Sequence, residues 1–278
     1  MRSKKLSIIT INYNNKNGLL KTIESIINQS FHDFEFIVID GGSSDGSIEI
    51  IKEFSNKIDY WVSEPDHGIY HAMNKGVTAA RGEYCNFMNS GDCFYDRNIL
   101  EKVFKLDLST DIFIGKARAP ERVLLPPKNP TLNYFYTRKP INHQAAFINR
   151  RLLLKYPYDE KSLKIVSDWK FFLYALIIEN CSYKAIDEFI VNFEDSGIGS
   201  VNINCNILEQ SNVINSTIYP RILEDYNHIQ YLDSAIIKIS IPVARFFDHY
   251  GKFLNPVKYF RKIKKMFLNT IRCIFDTL

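Results

Sequence analysis

Several stretches of this chain put polar side chains where a folded core would exclude them. Phe34 to Asp40 is an almost unbroken apolar run that ends on a carboxylate and hands over to Gly41, Gly42, Ser43 and Ser44. Such a strand end offers an acceptor for a ligand's hydrogens, and the small residues let backbone come close. A helix that begins only at Ser47 is too distant for Asp40 to be its cap. A second run, Glu83 to Met88, is followed by Asn89-Ser90-Gly91-Asp92, again a turn closed by an acid. Tyr13, after the first run, offers a ring on which a flat group can stack. Asp168, in Val166-Ser167-Asp168-Trp169, opens a helical stretch; there an acid serves as cap and dipole partner or as a proton acceptor. His143-Gln144 enters the apolar run Ala145-Ala146-Phe147, where two polar groups are costly unless paired. His67 and His71 stand four apart on a helix, but no third metal ligand accompanies them, so they read as solvated.

The elements that must position these groups alternate. Leu6 to Asn12 reads as a strand. Leu20, Ile23, Ile26 and Ile27 recur at helical spacing through to Ser30. Phe34 to Asp40 is uniformly apolar enough to be an interior parallel strand. A helix over Ser47 to Phe54, a strand over Ile58 to Val62, a helix over His67 to Ala80 and a strand over Glu83 to Met88 follow. Alternation of this kind implies right-handed crossovers and an α/β fold with a mostly parallel sheet. Ligands of such sheets bind beyond the carboxyl ends of the strands, where Asp40 and Asp92 fall. From about Asp107 five prolines punctuate loops and short strands. A helix over Asp168 to Glu179 and a strand over Tyr183 to Asn192 come after them.

The 278 residues, 46% apolar, suffice for one large α/β domain with an appendage. No signal peptide is expected, and the longest apolar run, Phe171 to Ile178, is far short of the ~20 residues of a spanning helix. Five cysteines without paired spacing fit a reduced cytosolic protein. No GxGxxG occurs, so a dinucleotide cofactor is not expected, nor is a nucleic-acid partner. Residues 231–278 hold nine Lys/Arg against three Asp/Glu, a balance of +6; taken from +4 overall, this leaves −2 for the first 230. The expected division is 1–100, 101–230 and a basic helical tail, 231–278.

The stretches "SIITINYNN", "FIVIDGGSSDGS", "DHGIYHAMNKGVTAARGEY" and "FMNSGD" resemble the nucleotide-sugar half of family 2 glycosyltransferases, and "INHQAAFINRRLL" and "YDEKSLKIVSDWKFF" continue the likeness. The resemblance covers roughly 200 residues and is greatest to the subgroup of bacterial capsule, exopolysaccharide and O-antigen clusters. It implies the glycosyltransferase-A fold, a Rossmann-like central sheet flanked by helices, and inverting transfer from a UDP-sugar. It also implies that Ile11, Tyr13, Asn14, Asp40, Gly41, Ser43, Asp66, Asn74, Lys75, Asn89, Ser90, Gly91, His143 and Gln144 face the donor. For His143 and Gln144 a structural hydrogen-bonded pair is the alternative, and for Lys75 a solvated lysine. Asn89-Ser90-Gly91-Asp92 stands where the family has DxD, so only Asp92 remains as an acid for Mg²⁺ or Mn²⁺; one carboxylate with substrate phosphates and water can serve. Ser167 replaces the first acid of the family's acidic pair, and Asp168 aligns with its catalytic base. Trp169 either stacks on the acceptor sugar or belongs to the core. Two other readings share these residues: a non-catalytic nucleotide-sugar-binding scaffold, and a sugar nucleotidyltransferase.

In the tail, Phe260, Ile263, Phe267, Ile271, Ile274 and Leu278 fall on one helical stripe, with Lys258, Arg261, Lys262, Lys264, Lys265 and Arg272 opposite. The pattern predicts that residues 257–278 lie on an anionic membrane surface at the cytoplasmic face. A lipid-linked saccharide acceptor would be met there. Packing on the enzyme's own body, or on a second copy in a homodimer, is the alternative.

Overall fold

The computed structural model describes residues 4–106, 109–193 and 203–231. The chain divides into a unit of residues 1–217 and a second unit, 218–278, in which 220–231 are helical. The basic tail beyond residue 231 lies outside the described residues.

The first unit opens as the hydrophobic pattern requires. Strand β1 (Leu6–Asn12), helix α1 (Lys16–Ile27), β2 (Phe34–Asp40), α2 (Ser47–Glu53), β3 (Tyr60–Ser63), α3 (Ile69–Ala79) and β4 (Tyr84–Phe87) alternate. Every residue of β1 is buried, as is every residue of β2 after Phe34. Both faces are therefore covered, which explains strands without polar alternation. β3, β2, β1 and β4 run parallel, with Asn12 opposite Asp40 and Asp40 opposite Ser63. Three polar side chains are thereby aligned at one carboxyl edge.

The second half of the sheet is mixed. After β5 (Cys93–Phe94) and α4 (Ile99–Lys105) come β6 (Ile112–Arg118), β7 (Val123–Leu124), α5 (Leu132–Tyr136), β8 (Ala146–Asn149) and α6 (Arg150–Lys155). Helix α7 (Ser167–Leu173) widens into a π turn over Tyr174–Ile178; β9 (Tyr183–Asn192) and α8 (Ile203–Thr217) follow. The strand order is β3-β2-β1-β4-β8-β6-β9-β5, with β7 pairing β6. β8 runs antiparallel to both β4 and β6. Parallel pairing thus dominates only the first half of the sheet, and the antiparallel β8 delivers the segment just before it, His143 to Ala145, beside the end of β4. The looser stretch after Asp107 holds a seven-residue interior strand, β6, that its prolines and Gly115 concealed. A Cβ at Gly115 would lie 2.4 Å from Ile190 and 2.7 Å from the Glu188 carbonyl of β9, so the glycine answers a close crossing of two strands.

Candidate active site

Asp40 is fully buried at the end of β2. Its Oδ1 accepts from Asn12 Nδ2 at 2.7 Å and from the Ser43 hydroxyl at 2.6 Å. Its Oδ2 accepts from the amides of Gly42 (3.1 Å) and Ser43 (2.9 Å) and from the Ser63 hydroxyl (2.6 Å). Burial alone would raise this carboxyl, but the Ser43 and Ser63 hydroxyls, the Ser43 amide and Asn12 hold it below the ordinary carboxylate value. Sequence reasoning expected Asp40 to accept hydrogens from a ligand. In this structure its oxygens bind together three strand ends and the loop after β2.

Beyond these strand ends Tyr13 is 67% exposed. A Cβ at Gly41 would fall 2.7 Å from Asp66 Oδ2 and 3.2 Å from the Tyr13 ring. Tyr13, Gly41 and Asp66 therefore converge, and only glycine leaves the aromatic face and the carboxylate this close across the loop. The other Asp66 oxygen accepts from the Gly68 amide at 2.8 Å, which shapes the entry to α3. Asn14 takes a left-handed φ of 48° and accepts from the Ser44 amide at 2.9 Å, while the buried Ser43 hydroxyl accepts from the Asn14 amide at 2.8 Å.

The turn after β4 is tied to the same edge. The Ser90 amide donates to the Ile11 carbonyl at 3.1 Å and its hydroxyl to Asn12 Oδ1 at 2.8 Å. Gly91, at φ 105°, donates to the Thr22 hydroxyl. Asp92 is 5% exposed, and its Oδ2 accepts from Gln144 Nε2 at 3.1 Å. Among the described residues no three His, Cys, Asp or Glu side chains gather into a metal-binding group. The donor set is one carboxylate. That fits Mg²⁺ or Mn²⁺ held mainly by diphosphate oxygens and water, and does not fit a cage built from protein alone.

His143, next to Gln144, reaches two ways. Its Nε2 lies 3.3 Å from Asn89 Nδ2 and its Nδ1 lies 2.8 Å from Asp168 Oδ2. On the far side of Asp168, the Tyr70 hydroxyl is 3.0 Å from Oδ1 and 2.6 Å from the Ile165 carbonyl. Burial, then the Asp168 charge, pushes the Tyr70 phenol far above its ordinary value, so it stays protonated as a donor. Behind it lies Tyr158, fully encased, whose phenol burial and the same charge push up likewise. Asp168 is thus far more than a helix-opening acid: it sits between an imidazole and a tyrosine from two other elements.

Three more of the predicted residues have partners of their own. Trp169 is 4% exposed, donates from Nε1 to the Lys139 carbonyl and packs edge-on against Phe135 at 5.3 Å. It belongs to the core and offers no stacking face. Asn74 bonds the Tyr158 backbone at both ends of its amide and also donates to Glu160 at 2.9 Å, pinning α3 to the chain before α7. Lys75 pairs with Glu64 at 2.7 Å. With Glu64, His71 and Arg81, Asn74 and Lys75 line a cavity of about 580 Å³ along the edge strand β3.

One participant escaped sequence reasoning. Glu209, on α8, accepts from the successive amides of Lys164 (3.1 Å), Ile165 (3.0 Å) and Val166 (3.1 Å). These donors immediately precede α7, so a carboxylate more than forty residues downstream fixes the segment that carries Asp168. No local pattern announces such a contact.

The site thus joins the carboxyl edge of a parallel sheet to a mixed half that supplies an acid on a helix start. Residues 7–156 match the family described as Glycosyl transferase family 2, and the chain belongs to that family. An uncharacterized glycosyltransferase of Mycobacterium tuberculosis is 29% identical over 209 residues, 70% of this chain and 77% of that protein. A PGL/p-HBAD biosynthesis glycosyltransferase of Mycobacterium bovis is 28% identical over 185 residues, 62% and 69% of the two chains. Among solved structures, S. aureus TarS residues 1–349 in complex with UDP-GlcNAc superimposes with a TM-score of 0.58 at 20% identity, covering 69% of this chain and 59% of that one. The mannosyltransferase PcManGT from Pyrobaculum calidifontis, in complex with GDP-Man and Mn²⁺, gives 0.59 at 14% identity over 96% and 81%. Both carry the fold seen here.

Proposed function

We propose that the chain is an inverting glycosyltransferase that moves a sugar from a UDP-linked donor to a hydroxyl of a lipid-linked or glycan acceptor. The supporting observation is the hydrogen-bonded path Asn89–His143–Asp168. It joins the turn that would face the donor to the acid that would take up the acceptor's proton. The uracil would lie on Tyr13, over the slot that Gly41 leaves beside Asp66. Asp92 would hold Mg²⁺ or Mn²⁺, and that ion, when bound, neutralises charge on the departing diphosphate. The acceptor oxygen attacks the anomeric carbon from the face opposite the diphosphate while its proton passes to the Asp168 centre. UDP is the first carrier to test, because a protein of the same fold binds UDP-GlcNAc.

Among the described residues no helix is long and apolar enough to cross a membrane. Residues 257–278 would hold the enzyme against an anionic leaflet, where a lipid-linked acceptor resides, in the assembly of a bacterial surface polysaccharide.

A panel of nucleotide sugars, with and without Mg²⁺ or Mn²⁺, tests the reading. Turnover of a UDP-sugar to a product of inverted anomeric configuration is expected. Asp168→Asn should lower kcat about 10²–10⁴-fold with donor affinity nearly intact. Absence of turnover with every donor would leave a scaffold, and pyrophosphate exchange would indicate a nucleotidyltransferase. Equal UDP affinity with and without the cation would remove the metal from the scheme.

A further inference from the structure

A second cavity, of about 250 Å³, opens on the mixed half of the sheet. Ile114, Leu124, Leu125, Pro126, Pro127 and Pro140 give it an apolar lining. Its walls are tied in place. Ala117 of β6 pairs with Leu124 of β7, the Tyr183 hydroxyl donates to the Pro127 carbonyl at 2.6 Å, and the Tyr134 hydroxyl donates to the Pro140 carbonyl at 2.6 Å. The three prolines fix their own φ angles as well. Polar groups at the wall are already engaged: the Tyr134 hydroxyl by that carbonyl, and Asn142 Oδ1 by the Ala145 amide at 2.9 Å. A sugar ring would find few partners there, whereas hydrocarbon gains by leaving water. Leu125 is nonetheless 68% exposed, and Val123 beside it on the chain 45%.

Charge around the cavity is one-sided. Residues 116–142 hold six Lys/Arg against Glu121 alone, a balance of +5 in a body whose first 230 residues sum to −2. Lys116 pairs with Asp187, and Arg118 lies over the Tyr95 and Phe189 rings, so these two are engaged elsewhere. Lys139, on the cavity wall, has its Nζ 5.7 Å from the Tyr134 ring centroid, and Arg138 donates to the Ser211 hydroxyl at 3.0 Å. Among the described residues no acid pairs with Lys139, with Arg138, or with Lys128 next to Pro127. The same wall leads to the candidate base. The Lys139 carbonyl accepts from Trp169 Nε1 at 3.2 Å, and Asn142 is followed by His143, whose Nδ1 lies 2.8 Å from Asp168 Oδ2. Cations, apolar hollow and base therefore follow one another along residues 138–143.

We propose that this cavity seats the first carbons of a hydrocarbon chain that the acceptor carries on a phosphate or diphosphate, with Lys139, Arg138 and Lys128 meeting the anion. The inference rests on the glycosyl-transfer reading and names its acceptor class: a saccharide joined through phosphate to a lipid. Size sets the extent of the contact. At about 250 Å³ the cavity falls below the ~300–1,000 Å³ of pockets that enclose a drug-sized ligand, so it grips the start of the chain and leaves the rest outside. Covering Leu125 supplies apolar attraction, and the cations add charge-assisted hydrogen bonds to the phosphate oxygens. The saccharide then extends from the phosphate toward Asp168.

The test uses the full-length chain and farnesyl diphosphate, titrated by calorimetry in dilute solution with excess UDP, which keeps the donor site closed to the diphosphate. One equivalent should bind, at least about tenfold more tightly than inorganic diphosphate or farnesol, because each of these offers only part of what the site recognises. Leu125→Asp and Lys139→Ala should each weaken binding by about tenfold. Both side chains are exposed, so both variants should fold; if Leu125→Asp does not, Lys139→Ala decides alone. Inorganic diphosphate binding as tightly as the farnesyl compound would assign the cations to a free anion and overturn the proposal. Uptake of several equivalents, untouched by either variant, would be adsorption and would overturn it too. So would a Leu125→Asp protein that loses a dimer in light scattering yet binds farnesyl diphosphate as before, since a second copy then covers this face. A wild type that transfers sugar but ignores farnesyl diphosphate removes the proposal alone. One that transfers no sugar from any donor brings down the parent reading and the proposal with it.

Discussion

Replacing Asp40 with asparagine tests whether this acid is a ligand contact or the tie beneath the site. The substitution keeps shape but turns one oxygen into an NH₂. At the Oδ2 position the new amide nitrogen would confront the Gly42 and Ser43 amides, donors that cannot turn round. It must therefore take the Oδ1 position. There it meets Asn12 Nδ2, another donor, and Ser43 Oγ, which already accepts from the Asn14 amide and from Asn12. Two charge-assisted hydrogen bonds are lost, at about 1.5 kcal/mol each on the low side of their usual worth. The expected cost is about 3 kcal/mol. For a unit of about 200 residues that is a fall of roughly 6–12 °C in Tm. Asn12 also accepts from Ser90 at 2.8 Å. Any rotation of Asn12 to relieve the clash releases Ser90, so Asp40→Asn and Ser90→Ala should be non-additive by at least about 0.5 kcal/mol. Urea unfolding followed by tryptophan fluorescence measures both. An Asp40→Asn protein within about 1 kcal/mol of wild type, with weakened UDP binding, would mean that the carboxylate contacts the nucleotide directly and that the reasoning fails.

Glu209→Ala should lower stability by about 2 kcal/mol, because three amides before α7 lose an anionic acceptor and only in part regain water; Glu209→Gln should recover about half. Both variants are expected to lose kcat at unchanged donor affinity, and a Glu209→Ala protein of wild-type Tm and rate would show that the clamp is idle. Glu35, 1% exposed, accepts from the Ser7 hydroxyl, the Arg81 amide and guanidinium, and the Gly82 amide. Burial acts to raise its carboxyl, but these donors and the Arg81 charge hold it below its ordinary 4.5. A lowered folded value means that the unfolded chain binds the proton first, so this stabilisation is complete above about pH 4.5 and is lost as pH falls through the folded value. Glu35→Gln should therefore flatten the acid limb of a stability–pH curve below pH 4.5, and an unchanged limb would assign acid sensitivity to other groups.

The parts that could be read from the sequence are those whose cause is local. β1 and β2 lie where their apolar runs put them, since strands covered on both faces need no alternation, and β9 spans its expected Tyr183 to Asn192. Asp40 and Asp92 fall at one edge because parallel strands joined by helices end on the same side. α1 stops at Ile27, short of Ser30, and α3 begins at Ile69, after the left-handed Gly68; end effects of that size follow from caps that propensity does not fix. β6 was hidden, for its glycine signals a crossing with β9 that exists only in three dimensions. The partners of Asp168 were equally illegible. His143 arrives on an antiparallel neighbour of β4, Tyr70 arrives on α3, and Glu209 arrives on α8. His143-Gln144 gave the one usable hint, because two polar groups entering a core demand partners; which partners they find depends on strand order, which the sequence does not display. Trp169 shows the converse. It stands next to the candidate catalytic acid, yet successive residues of a helix face different ways, and its indole turns inward.

The Glu209 clamp has a consequence for how the protein is made. A nascent chain that has emerged through β9 already holds all four parallel strands, the Asp40 tie, His143 and Asp168. It lacks the carboxylate that Lys164, Ile165 and Val166 bind. The Asp40 tie can close while synthesis continues, because Asn12, Gly42, Ser43 and Ser63 all lie within the first ninety residues, whereas the segment bearing Asp168 waits for α8 to leave the ribosome. Synthesis thus supplies an order of maturation, in which the floor for the donor is laid before the acid above it is locked in place.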